Sequence, residues 1–354
     1  MNEHVAGAPF EGARREGRAA GNVSGLWVRA ASRHLVRSLR VPAGVRVICI
    51  GGATLGGSGK TPLAVACAAE IAASGRHVVL VGHAYRGRPR GARLVTEADA
   101  LHEVGDEALL AARALAGLHL DGRARVVVAP HREEAVALAA RYADILVIDG
   151  VAQTKPTPST LALLAVDASE PWGRSARMPP CGNLRAPVAA LLSVSDAVVA
   201  VGDPGMGSQV PGALQAHVLS EGVRIGATRL NWADLRGARL GLIAALARPE
   251  RVVRALARRG VTLHAVLAAR DHGPLSPRLL ERARGMPVDL WLATAKCALH
   301  IEAHGGTVLN PLLPCAPLVS SARWAVPFNR VATIDYALAL SRGLKERLRA
   351  TAVS

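Results

Sequence analysis

Three observations predict an α/β fold: a P-loop NTPase-like parallel sheet with helices on both faces, plus a smaller second α/β lobe. A glycine-rich stretch over residues 48–62, Ile-Cys-Ile-Gly-Gly-Ala-Thr-Leu-Gly-Gly-Ser-Gly-Lys-Thr-Pro, sits between an apolar β-branched run and an alanine-rich helical pattern. Beyond it, strand-like and helix-like segments alternate as far as about residue 201, the rhythm of βαβ units. A Gly/Pro-rich joint over 202–212 comes next, and then the alternation resumes.

Residues 1–24 are polar and rich in Gly, Ala, Arg and Glu, a composition that predicts a disordered tail. Residues 25–42 read as a basic amphipathic helix, with Leu26, Trp27, Ala30, Leu35 and Leu39 on one side and Arg29, Arg33, Arg37 and Arg40 on another. Such a helix suits an anionic bilayer surface or packing on the protein's own core. The core lobe is expected over 43–212. Its apolar run Val45, Val47, Ile48 and Ile50 forms the first strand, and a helix is expected over 63–73. Further strands are expected at 77–81, 125–129, 145–148, 161–166 and 197–201, with helices at 106–116 and 132–142 and an irregular loop over 174–185. The second lobe, 213–354, shows strands at 240–244, 262–267 and 290–293 and helices at 249–259, 277–284 and 334–348.

Composition narrows the function classes. Half of the 354 residues are hydrophobic but only 3% are aromatic, so the core must be built from Ala, Val and Leu. The formal net charge of +16 suits an anionic partner, or reflects a general arginine habit of the source genome. The five cysteines, Cys49, Cys67, Cys181, Cys297 and Cys315, form no C-x-x-C pair. That excludes the usual zinc and disulfide frameworks and predicts reduced thiols in the cytoplasm. No run of about 18 uncharged apolar residues predicts a membrane span, and arginines and acids interrupt the N-terminal forty residues where a signal peptide would stand.

The glycine-rich stretch carries the clearest chemistry. A strand, a glycine turn and a helix N-terminus let backbone N–H groups converge on an anion where the helix dipole is positive. Thr54, Gly56, Gly57, Ser58, Gly59, Lys60 and Thr61 form the expected nucleotide cradle, with Lys60 reaching the β- and γ-phosphates and the Thr61 hydroxyl ligating Mg²⁺. The first glycine of G-x-x-x-x-G-K-[ST] is Thr54 here. Lysine is scarce, four residues in the chain, so a compact ammonium at position 60 reads as a chemical requirement.

Other candidates stand around it. Asp149, at the end of strand 145–148, occupies the place of a Walker-B carboxylate for Mg²⁺, although Asp-Gly is also an ordinary turn. Asp106 and Glu107 open the helix at 106, where Asp106 also suits an N-cap and Glu107 joins the metal-side candidates. Asp106 with His272, if brought together, would form an acid–histidine base for a hydroxyl. Tyr85 and Arg86 can touch nucleotide or substrate, and Arg185 can grip an anionic acceptor. A P-loop ATPase acting on nucleic acid is not expected, because two phenylalanines and three tyrosines supply few stacking positions.

These stretches together resemble the tetraacyldisaccharide 4′-kinase family of lipid A biosynthesis. That family's Thr-x-Gly-Gly-Thr/Ser-Gly-Lys-Thr-Pro matches residues 54–62, which accounts for Thr54 in place of glycine. Its Gly-Asp-Glu matches 105–107, its arginine after the third strand matches Arg132, and its Pro-x-Gly-x-Leu-Arg-x-Pro matches 180–187. Its Ala-Arg-Pro-Glu-Arg matches 247–251 and its Asp-His matches 271–272, in preserved order over roughly residues 25–300. Three strings depart from the family. Asp-Asp-Gly-Phe/Leu-Gln-His appears over 148–154 without one acid and the histidine, Ser-Arg-Gly-Tyr-Gly over 82–86 keeps only the tyrosine, and Thr-Glu-Lys-Asp over 294–297 has lost both acids.

The resemblance implies a peripheral enzyme on the cytoplasmic face of the bacterial inner membrane, using ATP and Mg²⁺. It implies transfer of the γ-phosphate to the 4′-hydroxyl of an acylated glucosamine disaccharide 1-phosphate. It further implies that Asp106 pairs with His272 as the base, that Lys60, Thr61 and Asp149 handle phosphates and metal, and that Arg132 and Arg185 face the substrate. The departures raise one alternative, a diverged relative that binds ATP with a lost or altered acceptor.

Overall fold

The computed structural model describes residues 28, 38–150, 155–157, 160–173, 175–225, 228–246, 249–269, 276–303 and 332–353. Strand β1 (Ser38–Arg40) is followed by β2 (Arg46–Gly52), whose alternation puts Ile48 and Ile50 on one face and Val47 and Cys49 on the other. The glycine turn then delivers the chain into helix α1 (Lys60–Ala73). Next come β3 (Val78–Val81), a short β4 (Arg93–Val95), one helical turn α2 (Leu101–Val104) and α3 (Asp106–Ala116). The unit continues through β5 (Ala124–Val128), α4 (Arg132–Ala139), β6 (Ile145–Asp149), β7 (Lys155–Thr157), β8 (Leu161–Asp167), α5 (Val188–Ser193) and β9 (Ala197–Gly202).

The remaining strands are β10 (Leu214–Leu219), β11 (Gly222–Ile225), β12 (Thr228–Asn231), β13 (Leu240–Ala244), β14 (Leu263–Ala268) and β15 (Leu290–Ala293), then β16 (Ala332–Ile334) and β17 (Ala337–Leu340). Helix α6 (Pro249–Arg258) lies between β13 and β14, α7 (Pro277–Arg284) between β14 and β15, and α8 (Ala295–Ala303) comes after β15. The described chain ends in α9 (Arg342–Val353).

Nine strands form the first sheet in the order β17-β10-β9-β8-β2-β6-β3-β5-β4. All its pairings are parallel except those of the two edges, β4 with β5 and β17 with β10. One face buries Leu63, Ala64, Cys67 and Ile71 of α1, Leu109 and Leu115 of α3, and Leu344 and Leu348 of α9. The other buries Ala135, Val136 and Ala139 of α4. Helices therefore cover both faces, as continuous apolar strands of a parallel sheet demand. A Leu or Ile buried fully in these layers contributes about 1.5–3 kcal/mol.

The second sheet runs β12-β11-β16-β15-β13-β14, with a parallel centre and antiparallel β11. Three expectations are corrected. The division at 212/213 does not hold for the strands, because β10 and β17 extend the first sheet and α9 packs against α1. The helix expected over 334–348 is instead two short strands and a helix that starts at Arg342. The basic helix expected to run to residue 42 gives way by Ser38 to a strand paired with Lys155–Thr157, and Leu39 is buried in the sheet's core. Residues 1–27 and 29–37, with the tail and most of that helix, lie outside the described residues.

Candidate functional site

Strand β2 ends at Gly52, and the turn beyond it is built by residues that bend readily. Gly56, Gly57 and Gly59 hold φ values of 87°, 77° and 79°, the left-handed region that a side chain disfavours. At Gly59 a Cβ would also lie 2.9 Å from Val201 Cγ1 on β9. Thr54 is tolerated in place of the usual glycine because its backbone is extended and bridges Leu184, while its hydroxyl donates to the Gly56 carbonyl at 2.7 Å. The loop carrying Asn183, Leu184 and Arg185 braces the turn: Leu55 N–H donates to Asn183 O at 2.7 Å and Arg185 N–H to Ala53 O at 2.8 Å.

At the N-terminus of α1 the side chains converge. Lys60 Nζ lies 3.2 Å from Asp149 Oδ1 and 3.3 Å from Glu107 Oε2, and the Thr61 hydroxyl donates to Asp149 Oδ2 at 2.6 Å. The parallel pairing of β2 with β6 makes this meeting possible, since it sets Asp149 level with Ile50 as the glycine turn begins. Arg132, first residue of α4, donates to the Asp149 backbone carbonyl at 2.7 Å, and Arg185 Nε donates to Gly52 O at 3.2 Å.

The electrostatics are those of a cationic basin around one buried acid. Burial alone would draw the Lys60 pKa down, but attraction to Asp149 and Glu107 outweighs it and leaves the ammonium above its ordinary value. Burial pulls the guanidinium pKa values of Arg132 and Arg185 down, with Asp149 acting in the opposite sense on both. His83, after β3, is held below the usual imidazole range by burial and by the charges of Arg132 and Lys60. A polyanion entering such a basin relieves the mutual repulsion of its cations.

Tyr85 is exposed, with the Arg86 guanidinium 5.7 Å from its ring centroid and the His83 ring 6.1 Å away. Asp106 does not cap its helix: Gly105 occupies the N-cap position, and the Asp106 carboxylate is buried beside α8. There Asp106 Oδ2 lies 3.3 Å from His300 Nε2 and 3.9 Å from Lys296 Nζ. His272 lies outside the described residues, so its expected pairing with Asp106 does too.

Two of the three lost acids, at positions 148 and 297, fall where the side chain is packed in an apolar core. Ile148 is fully buried on the face of β6 turned towards α4, opposite to the phosphate turn, with Cys49, Val79 and Val81. Cys297 is fully buried, and its sulfur accepts from the Ala245 N–H at 3.0 Å and the Thr294 hydroxyl at 3.1 Å.

Sequence reasoning did not assign four residues that the fold brings to the site or to the turn. His83 carried a weak signal, two residues before Tyr85 in the loop after a strand. Lys296 and Arg251 stood inside family strings without a role. His300 had only its helical spacing from Lys296. Arg251, on α6, donates to the Gly57 carbonyl and pairs with Asp167, joining the second sheet's helix to the turn.

Hard oxygen donors suit Mg²⁺, and Thr61 Oγ1 and Asp149 Oδ2 supply two of them side by side. Among the described residues no group of three or more His, Cys, Asp or Glu side chains is placed to hold a metal by itself. One or two protein oxygens plus phosphates are what a nucleotide-bound Mg²⁺ ordinarily takes.

Comparison with known proteins identifies the family. A family model described as tetraacyldisaccharide-1-P 4′-kinase matches residues 19–316. The tetraacyldisaccharide 4′-kinase of Nitrobacter winogradskyi is 34% identical over 261 residues, 72% of this chain and 74% of that protein. That of Bradyrhizobium sp. is 32% identical over 286 residues, 78% of this chain and 79% of that protein. The fold matches the crystal structure of LpxK from Aquifex aeolicus in complex with ATP, with a TM-score of 0.62, 17% identity, and coverage of 94% of this chain and 98% of that one. The chain belongs to the tetraacyldisaccharide-1-P 4′-kinase family.

Proposed function

We propose that the protein transfers the γ-phosphate of ATP to the 4′-hydroxyl of a tetraacylated glucosamine disaccharide 1-phosphate in lipid A biosynthesis. The observation that carries this reading is the convergence of Lys60, Thr61, Asp149 and Glu107 at the N-terminus of α1, in a chain of this family.

Phosphoryl transfer asks a protein mainly for positioning and for positive charge around the moving phosphoryl group. The glycine turn presents backbone N–H groups to the β- and γ-phosphates. Lys60, now shared between two carboxylates, turns to those phosphates. Thr61 and Asp149 would hold Mg²⁺, with Glu107 at the margin; bound there, the ion neutralises charge on the phosphate oxygens. In this reading Arg132 and Arg185 meet the anionic acceptor. Asp106 takes the proton of the attacking hydroxyl as the new O–P bond forms and ADP leaves.

Release of ADP in a coupled assay, with and without the acylated disaccharide 1-phosphate, tests this reading. Acceptor-stimulated turnover is the expected result, and turnover indifferent to the acceptor would contradict it.

A lipid that stays in its bilayer requires the enzyme to come to it, and the basic segment before Ser38 supplies both arginines and apolar residues for an anionic surface. No helix of the described residues is long and apolar enough to cross a membrane. We infer peripheral attachment at the cytoplasmic face of the inner membrane. Deleting residues 1–37, which spares β1, should reduce co-sedimentation with anionic vesicles severalfold; undiminished sedimentation would reject this segment as the anchor.

A further inference from the structure

Asp106 and Glu107 are consecutive at the start of α3, so their side chains leave the helix about 100° apart. Glu107 turns to Lys60 and the phosphate turn. Asp106 turns the other way, to α8, where Lys296 and His300 stand four residues apart on one helical face and both approach its Oδ2. All three side chains are largely shielded, with exposures of 4% for Asp106, 12% for His300 and 16% for Lys296.

Helix α8 is itself fixed from both sides. Leu299 packs into the core of the first sheet, whereas Cys297, Ala298 and Ile301 pack with Ile243, Ala245 and Trp291 of the second. The Cys297 sulfur, accepting from Ala245 N–H and Thr294 O–H, pins the first turn of α8 to the end of β13. A helix held in two cores at once presents His300 to Asp106 with little freedom to drift.

We propose that His300, supported by Lys296, is a positioning residue for Asp106 in phosphoryl transfer. This rests on the kinase reading above, and it names a histidine other than the one at 272. In the tautomer that carries its proton on Nε2, His300 donates to Oδ2 and fixes the plane of the carboxylate, and the Lys296 ammonium lies 3.9 Å from the same oxygen. Asp106 is thereby ready to accept the proton of the 4′-hydroxyl as that oxygen bonds to the γ-phosphorus and the bond from phosphorus to the β-bridging oxygen breaks.

The experiment compares wild type, His300→Ala, His300→Gln and His272→Ala in steady-state transfer from ATP to the acylated disaccharide 1-phosphate, with melting curves and ATP affinity for each. His300→Ala should lower kcat about ten- to a hundredfold with both KM values within about threefold of wild type. His300→Gln, whose amide N–H can replace the imidazole donor, should recover most of that loss. A kcat of His300→Ala within twofold of wild type overturns the proposal. So does a glutamine variant that loses as much as alanine while melting like wild type. Should the alanine variant misfold, the glutamine variant decides: near-wild-type kcat supports the hydrogen-bond role, and a hundredfold loss in a protein that melts normally rejects it. The His272→Ala arm reports that residue's contribution separately. Absence of transfer by wild type overturns the kinase reading, and the proposal with it.

Discussion

Arg251→Ala probes the junction between the second sheet's helix α6 and the phosphate turn. Arg251 pairs with Asp167, whose side chain is 5% exposed against 26% for the arginine, and also donates to the Gly57 carbonyl. Breaking a fully buried ion pair by removing one partner costs about 3–5 kcal/mol. Asp167 keeps three other donors, Ser169 N–H at 2.8 Å, Ser169 O–H at 2.6 Å and Glu170 N–H at 2.8 Å, so the acid stays partly solvated by the protein. With the arginine itself a quarter exposed, the expected loss is about 2 kcal/mol, or roughly 3 °C in Tm for a chain of 354 residues at about 2 cal/mol/K of unfolding entropy per residue.

The pH dependence of that loss has a definite sign. Burial by itself would raise the Asp167 pKa; the Arg251 charge and the bonds from Ser169 and Glu170 more than offset it and leave the carboxyl below its ordinary value. A depressed folded-state pKa stabilises above the unfolded value of about 3.9, and that stabilisation disappears as pH falls through the folded value. The Arg251→Ala penalty should therefore be full at pH 7 and shrink below about pH 4. Thermal melts of wild type, Arg251→Ala, Asp167→Asn and the double variant measure it, with coupling above about 1 kcal/mol expected at pH 7. A variant melting within a degree of wild type, or an additive cycle, would refute the reasoning.

Two further predictions concern charge and burial. Lys60→Ala should lower kcat by about 10²–10³, the scale of losing one preorganised donor to the transferring group, and turnover at the wild-type rate would remove the turn from the mechanism. Among the four cysteines described, native-state alkylation should reach the exposed Cys181 and spare Cys49, Cys67 and Cys297. Burial also pushes the Cys67 thiol pKa far up, so early modification of Cys67 in a mass-spectrometric time course would contradict the packing of α1.

Much of the first sheet was legible because its central strands are continuous apolar runs. Val78–Val81, Ile145–Asp149 and Leu161–Asp167 carry their own signal, and the glycine turn marks the start of helix α1. The edge strands were not legible. Leu214–Leu219 mixes Gln and His into its pattern, and Ala337–Leu340 suits helix and strand alike until its antiparallel partner β10 in the first sheet is known. The phosphate site was legible for the same reason as the turn: its residues are tied to strand ends. Its long-range members were not, since Arg251 meets Gly57 across 194 positions and His300 meets Asp106 across 194. No local period encodes such a meeting; only the docking of α6 and α8 against the first sheet creates it.

The central claim is transfer to the lipid's 4′-oxygen, and the direct measurement is the fate of γ-labelled phosphate. Wild-type protein would be incubated with Mg²⁺, γ-labelled ATP and the acylated disaccharide 1-phosphate in detergent micelles, and the lipid product analysed for the position of its new phosphate. The expected result is label on the lipid as a 4′-phosphate ester, lost in Asp106→Ala. ATP bound but no label in the lipid, or label at another position, would contradict it.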